Sequence, residues 1–282
     1  NVSLLADTDA SGVGTVTISA AVTSGATGTV TLQGAGRLQV GATVTAKDVV
    51  FQPSTVAASM GVADPIGTVQ VLFSDLQAVT ASGTVTVGRA DSTGTIRIGG
   101  TGTVDLSGET YGFRLLTASG GQTRLNGNIT TAATAITFDS AVVVTGNRTL
   151  KTDQGVATGA AITMSRAVDS DGLSGPTAPF WALGLVAGTA GDVTLAQAVG
   201  VGARLGDLTV GPSNKLTAQG AVRAESMSTP GVLGGDILLN GSMDFSNHGI
   251  AAATVGLDLH TAGRIILNSG ADVVSGGPIT LE

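Results

Sequence analysis

Apolar and polar residues alternate with period two along much of the chain. Val16-Thr17-Ile18, Val30-Thr31-Leu32, Val85-Thr86-Val87 and Ile96-Arg97-Ile98 each put apolar side chains on one side of an extended segment and a polar one on the other. That pattern marks a strand with a single buried face. It predicts Val16, Ile18, Val30, Leu32, Val85, Val87, Ile96 and Ile98 inside, with Thr17, Thr31 and Thr86 outside. A glycine opens each segment. The phrase recurs as Gly14-Thr-Val-Thr-Ile18, Gly28-Thr-Val-Thr-Leu32, Gly67-Thr-Val-Gln-Val71, Gly83-Thr-Val-Thr-Val87, Gly94-Thr-Ile-Arg-Ile98 and Gly102-Thr-Val-Asp-Leu106. In the second half it becomes Gly191-Asp-Val-Thr-Leu195, Gly206-Asp-Leu-Thr-Val210, Gly235-Asp-Ile-Leu-Leu239 and Gly277-Pro-Ile-Thr-Leu281.

A longer phrase repeats too. Ala135-Ile-Thr-Phe-Asp-Ser-Ala-Val142 matches Ala161-Ile-Thr-Met-Ser-Arg-Ala-Val168 and Asp192-Val-Thr-Leu-Ala-Gln-Ala-Val199, at two unequal offsets. Asp236, Arg264 and Pro278 open similar strands, the second step half the first. A unit of about 14 residues, doubled to about 28, describes coils of two or three strands joined by turns of varying length. A propeller keeps a firmer period. An immunoglobulin-like sandwich has strands about 8–12 residues apart, as part of 83–106 does, but wants a buried aromatic centre. Dense Gly and Thr exclude a helical solenoid. The pattern therefore predicts an all-β chain: a right-handed parallel β-helix (β-solenoid) with irregular coils of roughly 20–28 residues. Residues 1–282 read as one continuous segment, with a looser subdivision into 1–118 and 119–282.

Composition sharpens this picture. Of 282 residues, 43 are Gly, none is Cys, 3% are aromatic and 12% charged. The apolar residues are mostly Val, Ala, Leu and Ile, which suit thin, layered cores. A stacked repeat stabilises itself through its neighbours and needs no disulfide. The net charge of −7 and the lack of any basic run argue against nucleic acid, whose phosphates need clustered Lys and Arg. The longest apolar run, residues 180–187, is far short of the roughly 20 residues that span a bilayer. No signal peptide is legible at Asn1 and there is no initiator Met, so the chain reads as a fragment of a longer one. Residues 1–18 and 277–282 read as mid-repeat strands, which predicts continuation by further repeats or end-to-end stacking with a copy.

Few residues suggest chemistry. Asp7-Thr-Asp9-Ala-Ser11-Gly12 resembles the opening of a calcium loop, and Asp169-Ser-Asp171-Gly172 is a shorter echo. Ile18 stands where an EF-hand places its bidentate Glu. Ordinary turns capped by Asp are the expected role of both. His248 and His260 have no Cys or second His beside them, and are expected as outward strand or turn residues. Pro179-Phe-Trp-Ala-Leu183 is expected as a core plug beneath the insertion 169–180, with a partner patch as the alternative. Asn128-Ile-Thr130, Asn147-Arg-Thr149 and Asn240-Gly-Ser242 fit the glycosylation sequon, which a Thr-rich chain produces by chance. Glu occurs only at Glu109, Glu225 and Glu282, and the scattered Asp residues lack the paired geometry of glycosidase or lyase sites. No catalytic, metal or cofactor-binding residue is assigned, and no cofactor is expected.

The phrases Ala135-Ile-Thr-Phe, Val144-Thr-Gly-Asn-Arg-Thr-Leu150, Gly191 to Val199 and Leu205-Gly-Asp-Leu-Thr-Val210 resemble those of filamentous-haemagglutinin-like and autotransporter-like adhesins. These are very large repeat proteins of bacterial surfaces. The resemblance covers most of 120–282 and, more loosely, 1–110. It implies an extracellular structural or adhesive module, a stiff stalk at the bacterial cell surface and not an enzyme. Other surface proteins, glycans or copies of itself would be its partners. A subunit of a self-assembling extracellular filament or sheath is the alternative, and a carbohydrate-active β-helix enzyme a more distant one.

Overall fold

The computed structural model describes all residues except 9–10, 101, 172–179, 232, 247–255 and 269. Strands of two to eight residues make up nearly all of its regular structure, and they pair in parallel along each sheet. This is the stacked-coil arrangement of a parallel β-helix. The chain forms two compact units, residues 1–129 with 137–141, and residues 130–136 with 142–282.

In the first unit one face runs through Val2–Leu5, Thr29–Gly34, Asp48–Pro53, Thr84–Gly88 and Gly112–Leu116. Register carries one inward column through Val30, Val49, Val85 and Phe113 and the next through Leu32, Phe51, Val87 and Leu115. None of these eight is more than 1% exposed. A second face stacks Met60–Val62, Thr95–Ile98 and Gln122–Leu125, with Ile98 held between Val62 and Leu125. In the second unit Ile162, Val193, Leu216, Ile237 and Ile265 form the equivalent column. Leu150, Leu185 and Val210 line another of its faces. Five of the eight aromatics are spent inside: Tyr111, Phe51, Phe113, Phe138 and Phe245 are fully buried.

Coil length varies more than the repeats predict. Val30 has Val49 as its register partner, and Val49 in turn has Val85, so the second of these coils is nearly twice as long as the first. The long coil holds two features that the repeat spacing does not predict. Met60–Val62 pairs in parallel with Val69–Val71 after only a short return, so the chain crosses one face twice. Glycine permits this close approach. A Cβ on Gly67 would lie 2.2 Å from the Gly61 nitrogen, and one on Gly61 would lie 2.4 Å from the Asp64 carbonyl oxygen. The chain then makes the short helix Phe73–Gln77. Asp75 initiates it by accepting the Leu72 N–H at 2.7 Å, the reach-back of a capping box.

Asp75 also ties this helix to the coil beside it. Its buried carboxylate accepts the Val40 N–H at 2.9 Å and the Arg37 guanidinium at 3.1 Å. On the other side the Tyr111 hydroxyl donates to the Leu76 carbonyl at 3.0 Å. Asp75→Asn keeps the shape but removes the charge from three acceptor contacts. It should cost about 2 kcal/mol, the scale of hydrogen bonds to a charged group, read as a lower urea midpoint at unchanged slope.

Thr86 departs from the exposure expected of an outward position. It is on the outward side of its strand, yet only 9% exposed. Its register neighbours are Val50 and Arg114, and Arg114 reaches on to Asp139 with Nε 2.6 Å from Oδ2. Large outward side chains one coil away cover it. Thr17, on the same kind of strand, is exposed as expected.

Candidate functional site

Polar side chains near the strand ends, Asn147 and Asp169 of the sequence candidates among them, join one coil to the next. Five side chains do so in the same way. In the first unit Asn1 Oδ1 accepts the Thr29 N–H and Asp48 Oδ1 accepts the Thr84 N–H, both at 2.9 Å. In the second unit Asn147 accepts the Ala182 N–H and Asp236 the Arg264 N–H, again at 2.9 Å. Asp169 Oδ1 takes two donors, the N–H groups of Gly202 at 2.9 Å and Ala203 at 3.1 Å. Asn1, Asp48 and Asp236 stand at or just before the start of a strand and cap the equivalent position one coil on. This explains the Gly-Asp opening of Gly235-Asp236: glycine turns the chain and aspartate pins the coil above. Backbone donors left over from the ladder need partners, and short Asn and Asp side chains supply them here.

The outer face of the second unit continues the theme. Asp192, Lys215, Asp236 and Arg264 follow one another along a single column, acid and base alternating. Arg264 Nη2 lies 2.7 Å from Asp236 Oδ2. That hydrogen bond holds the Asp236 carboxyl below the usual range and raises the Arg264 guanidinium. A parallel column joins amides: Asn240 Nδ2 donates to Gln219 Oε1 at 2.7 Å, and Asn268 Nδ2 donates to Asn240 Oδ1.

Of the two calcium-like loops, the first has Asp7 as a turn hub. Its Oδ1 accepts from the Ser11 hydroxyl at 2.9 Å and the Gly12 N–H at 3.0 Å, and its Oδ2 accepts from Ser54 at 2.6 Å. Asp9 lies outside the described residues. Asp171, just beyond the capping Asp169, accepts the Trp181 indole N–H at 2.8 Å. Trp181 and Phe180 are both half-buried; Pro179 and Gly172 lie outside the described residues. His248 does as well. His260 places Nε2 2.9 Å from Asp258 and Nδ1 3.0 Å from Glu282. Among the described residues no three His, Cys, Asp or Glu side chains are grouped to hold a metal ion. No helix among them is long and apolar enough to cross a membrane. Of the sequon asparagines, Asn147 and Asn240 have their amides engaged between coils, as described, and Asn128 is half-buried.

Sequence gives no hint of the charged cluster around Arg204. This side chain is 5% exposed and reaches across three coils. Nη1 donates to the carbonyls of Ala224 at 2.6 Å and Asp244 at 3.1 Å, and Nη2 to Asp244 Oδ2 at 2.9 Å. Nε is 3.9 Å from the buried Glu225 carboxylate. Arg223 adds a second cation at 3.2 Å from Asp244. Burial would raise the Asp244 carboxyl, but hydrogen bonds from the Ser246 hydroxyl and N–H and from Arg204 outweigh it and hold the group well below the usual range. A depressed carboxyl contributes stability that is complete above its unfolded value, about 3.9, and is lost as pH falls through the folded one. Thermal melts should therefore move little between pH 7 and 5 from this source and decline below about pH 4. Asp244→Asn should flatten part of that decline. An unchanged acid limb in the variant would show that Asp244 is not a major contributor.

Elsewhere, burial raises the Glu109 carboxyl, and burial with the Glu109 charge raises the Tyr111 phenol. The buried phenol is accounted for by its bond to Leu76. The fold and its polar contacts together define a parallel β-helix protein whose Asn and Asp side chains act as inter-coil fasteners. No protein-family model, curated protein or solved structure matches the chain.

Proposed function

We propose that this chain is a structural and adhesive module of an extracellular surface protein: a non-catalytic scaffold that spaces or displays binding elements. The observation that supports this most directly is the use of its outward-facing carboxylates and amides. Asp48, Asn147, Asp169 and Asp236 each spend a side-chain oxygen on a backbone N–H one coil away. A catalytic groove would instead present such groups to a substrate. The alternating charged column and the amide column serve the same end, fixing register where backbone pairing alone leaves side-chain identity open. Antibodies raised against the folded chain test the reading. They should label intact cells of the source organism, and deletion of the gene should lower attachment to surfaces or to other cells. Signal confined to lysed cells would overturn it.

The filament alternative has one observation in its favour. Leu267, Ile279 and Leu281 continue inward columns below Leu239, Leu257 and Leu259, yet are 44%, 50% and 46% exposed. Sedimentation velocity over a hundred-fold concentration range separates the readings. Concentration-dependent growth supports self-assembly, and a constant monomer supports a scaffold without it.

A further inference from the structure

We propose that the irregular long coil of the first unit carries a small-sugar site, in the cavity between the doubled strand and the short helix. This goes beyond the scaffold reading, since a scaffold works equally well with the cavity empty. Among the described residues, the other coils cross this face once. Here the chain adds a short return strand and a helical turn, and the two additions form the walls of one cavity. Its volume is about 360 Å³. That is the small end of ligand pockets, which run from about 300 to 1,000 Å³, and leaves room for one ring-sized group.

The lining has the chemistry of a pyranose site. Phe73 is half-buried and presents an aromatic surface beside Leu72 and Pro65, suited to the C–H face of a sugar ring. Gln70 supplies an amide whose Nε2 is fixed on the Pro65 carbonyl at 3.0 Å, and Ser74 an exposed hydroxyl. Asp64 forms the floor. It is 2% exposed and rigidly held: Oδ1 accepts the Ile66 N–H at 2.9 Å, and Oδ2 accepts Asn126 Nδ2 at 2.6 Å. Arg97 Nε stands 3.8 Å from the same carboxylate. Because Arg97 already offsets its charge, a cationic ligand gains little there, and a neutral polyol is the better match. Thus the cavity combines an apolar platform with a few fixed polar groups, as small-molecule sites do.

The test is an amide NMR titration of the full chain with methyl glycosides of glucose, galactose, mannose and N-acetylglucosamine, with N-acetyl-lysine amide as the cationic probe. Saturable shifts confined to residues 63–74 and the Gln70 side chain are expected for at least one glycoside, with Kd in the millimolar range. Phe73→Ala and Gln70→Ala should each weaken that binding about tenfold, the loss of roughly one good contact. Ser74→Ala, on an exposed hydroxyl, provides the same reading should Phe73→Ala disturb the helix. Thr80→Ala, on the other side of the coil, should leave binding unchanged. Three results would overturn the proposal: no saturable shift with any glycoside, binding unaffected by all three cavity variants, or preferential binding of the lysine probe.

Discussion

Ile98→Asp should destabilise the first unit by more than about 5 kcal/mol, enough to unfold a domain of ordinary stability. Two effects add. Removing the isoleucine side chain leaves a gap between Val62 and Leu125, which stack directly on it and are fully buried. Large-to-small changes of this kind cost about 2–5 kcal/mol. The carboxylate then stands in an apolar column with no partner, or must take up a proton to remain there. Thr17→Asp is the control, on an exposed position flanked by buried Val16 and Ile18. It should stay within about 0.5 kcal/mol of the parent. Urea denaturation followed by circular dichroism, with amide exchange to localise the loss, gives both numbers. Similar midpoints for the two variants would mean that the inward and outward faces are misassigned.

Arg204→Ala should cost about 3–5 kcal/mol, the range for removing one partner from a buried charged cluster. The guanidinium bonds two carbonyls and a carboxylate on successive coils, so its loss leaves those acceptors facing one another. Arg204→Lys retains the charge but presents a single point donor where a planar fork is needed, and should recover less than half of the loss. Amide exchange should rise first around 204–210, 222–228 and 243–246. Full recovery by lysine would show that the cluster needs only a positive charge. A loss below about 1 kcal/mol in the alanine variant would show that the fork contributes no more than a surface ion pair.

Much of this protein is written in its local pattern. The inward columns through Val30, Leu32, Val85, Val87, Ile96 and Ile98 follow from period-two alternation, because a strand turns successive side chains to opposite faces whatever lies next to it. The parallel stacking follows from repeated phrases that are each too short to bury anything alone. The expectation that Asp169 caps its own local turn is corrected: it lies within the strand Val168–Ser170 and its carboxylate reaches across the stack. The N–H groups it caps, those of Gly202 and Ala203, belong to the next coil.

The features that escaped depend on which residues come to lie above and below one another. The step from Val49 to Val85 is nearly double that from Val30 to Val49, so no fixed offset identifies a neighbour. Thr86 repeats the phrase of Thr17, and only the cover of Val50 and Arg114 makes one buried and the other open. Arg204 gathers Glu225 and Asp244 from later coils, with no motif to announce them. Asp75 and its helix interrupt a run of strands because a carboxylate there meets both Leu72 and Val40. By itself, then, the sequence determined the strands, their buried faces and their tendency to stack, since these arise from close neighbours along the chain. The tertiary structure alone decided the coil lengths, the buried charges and the cavity at Asp64. Those depend on contacts between coils, whose register is set by turn geometry and packing over distances that no local pattern spans.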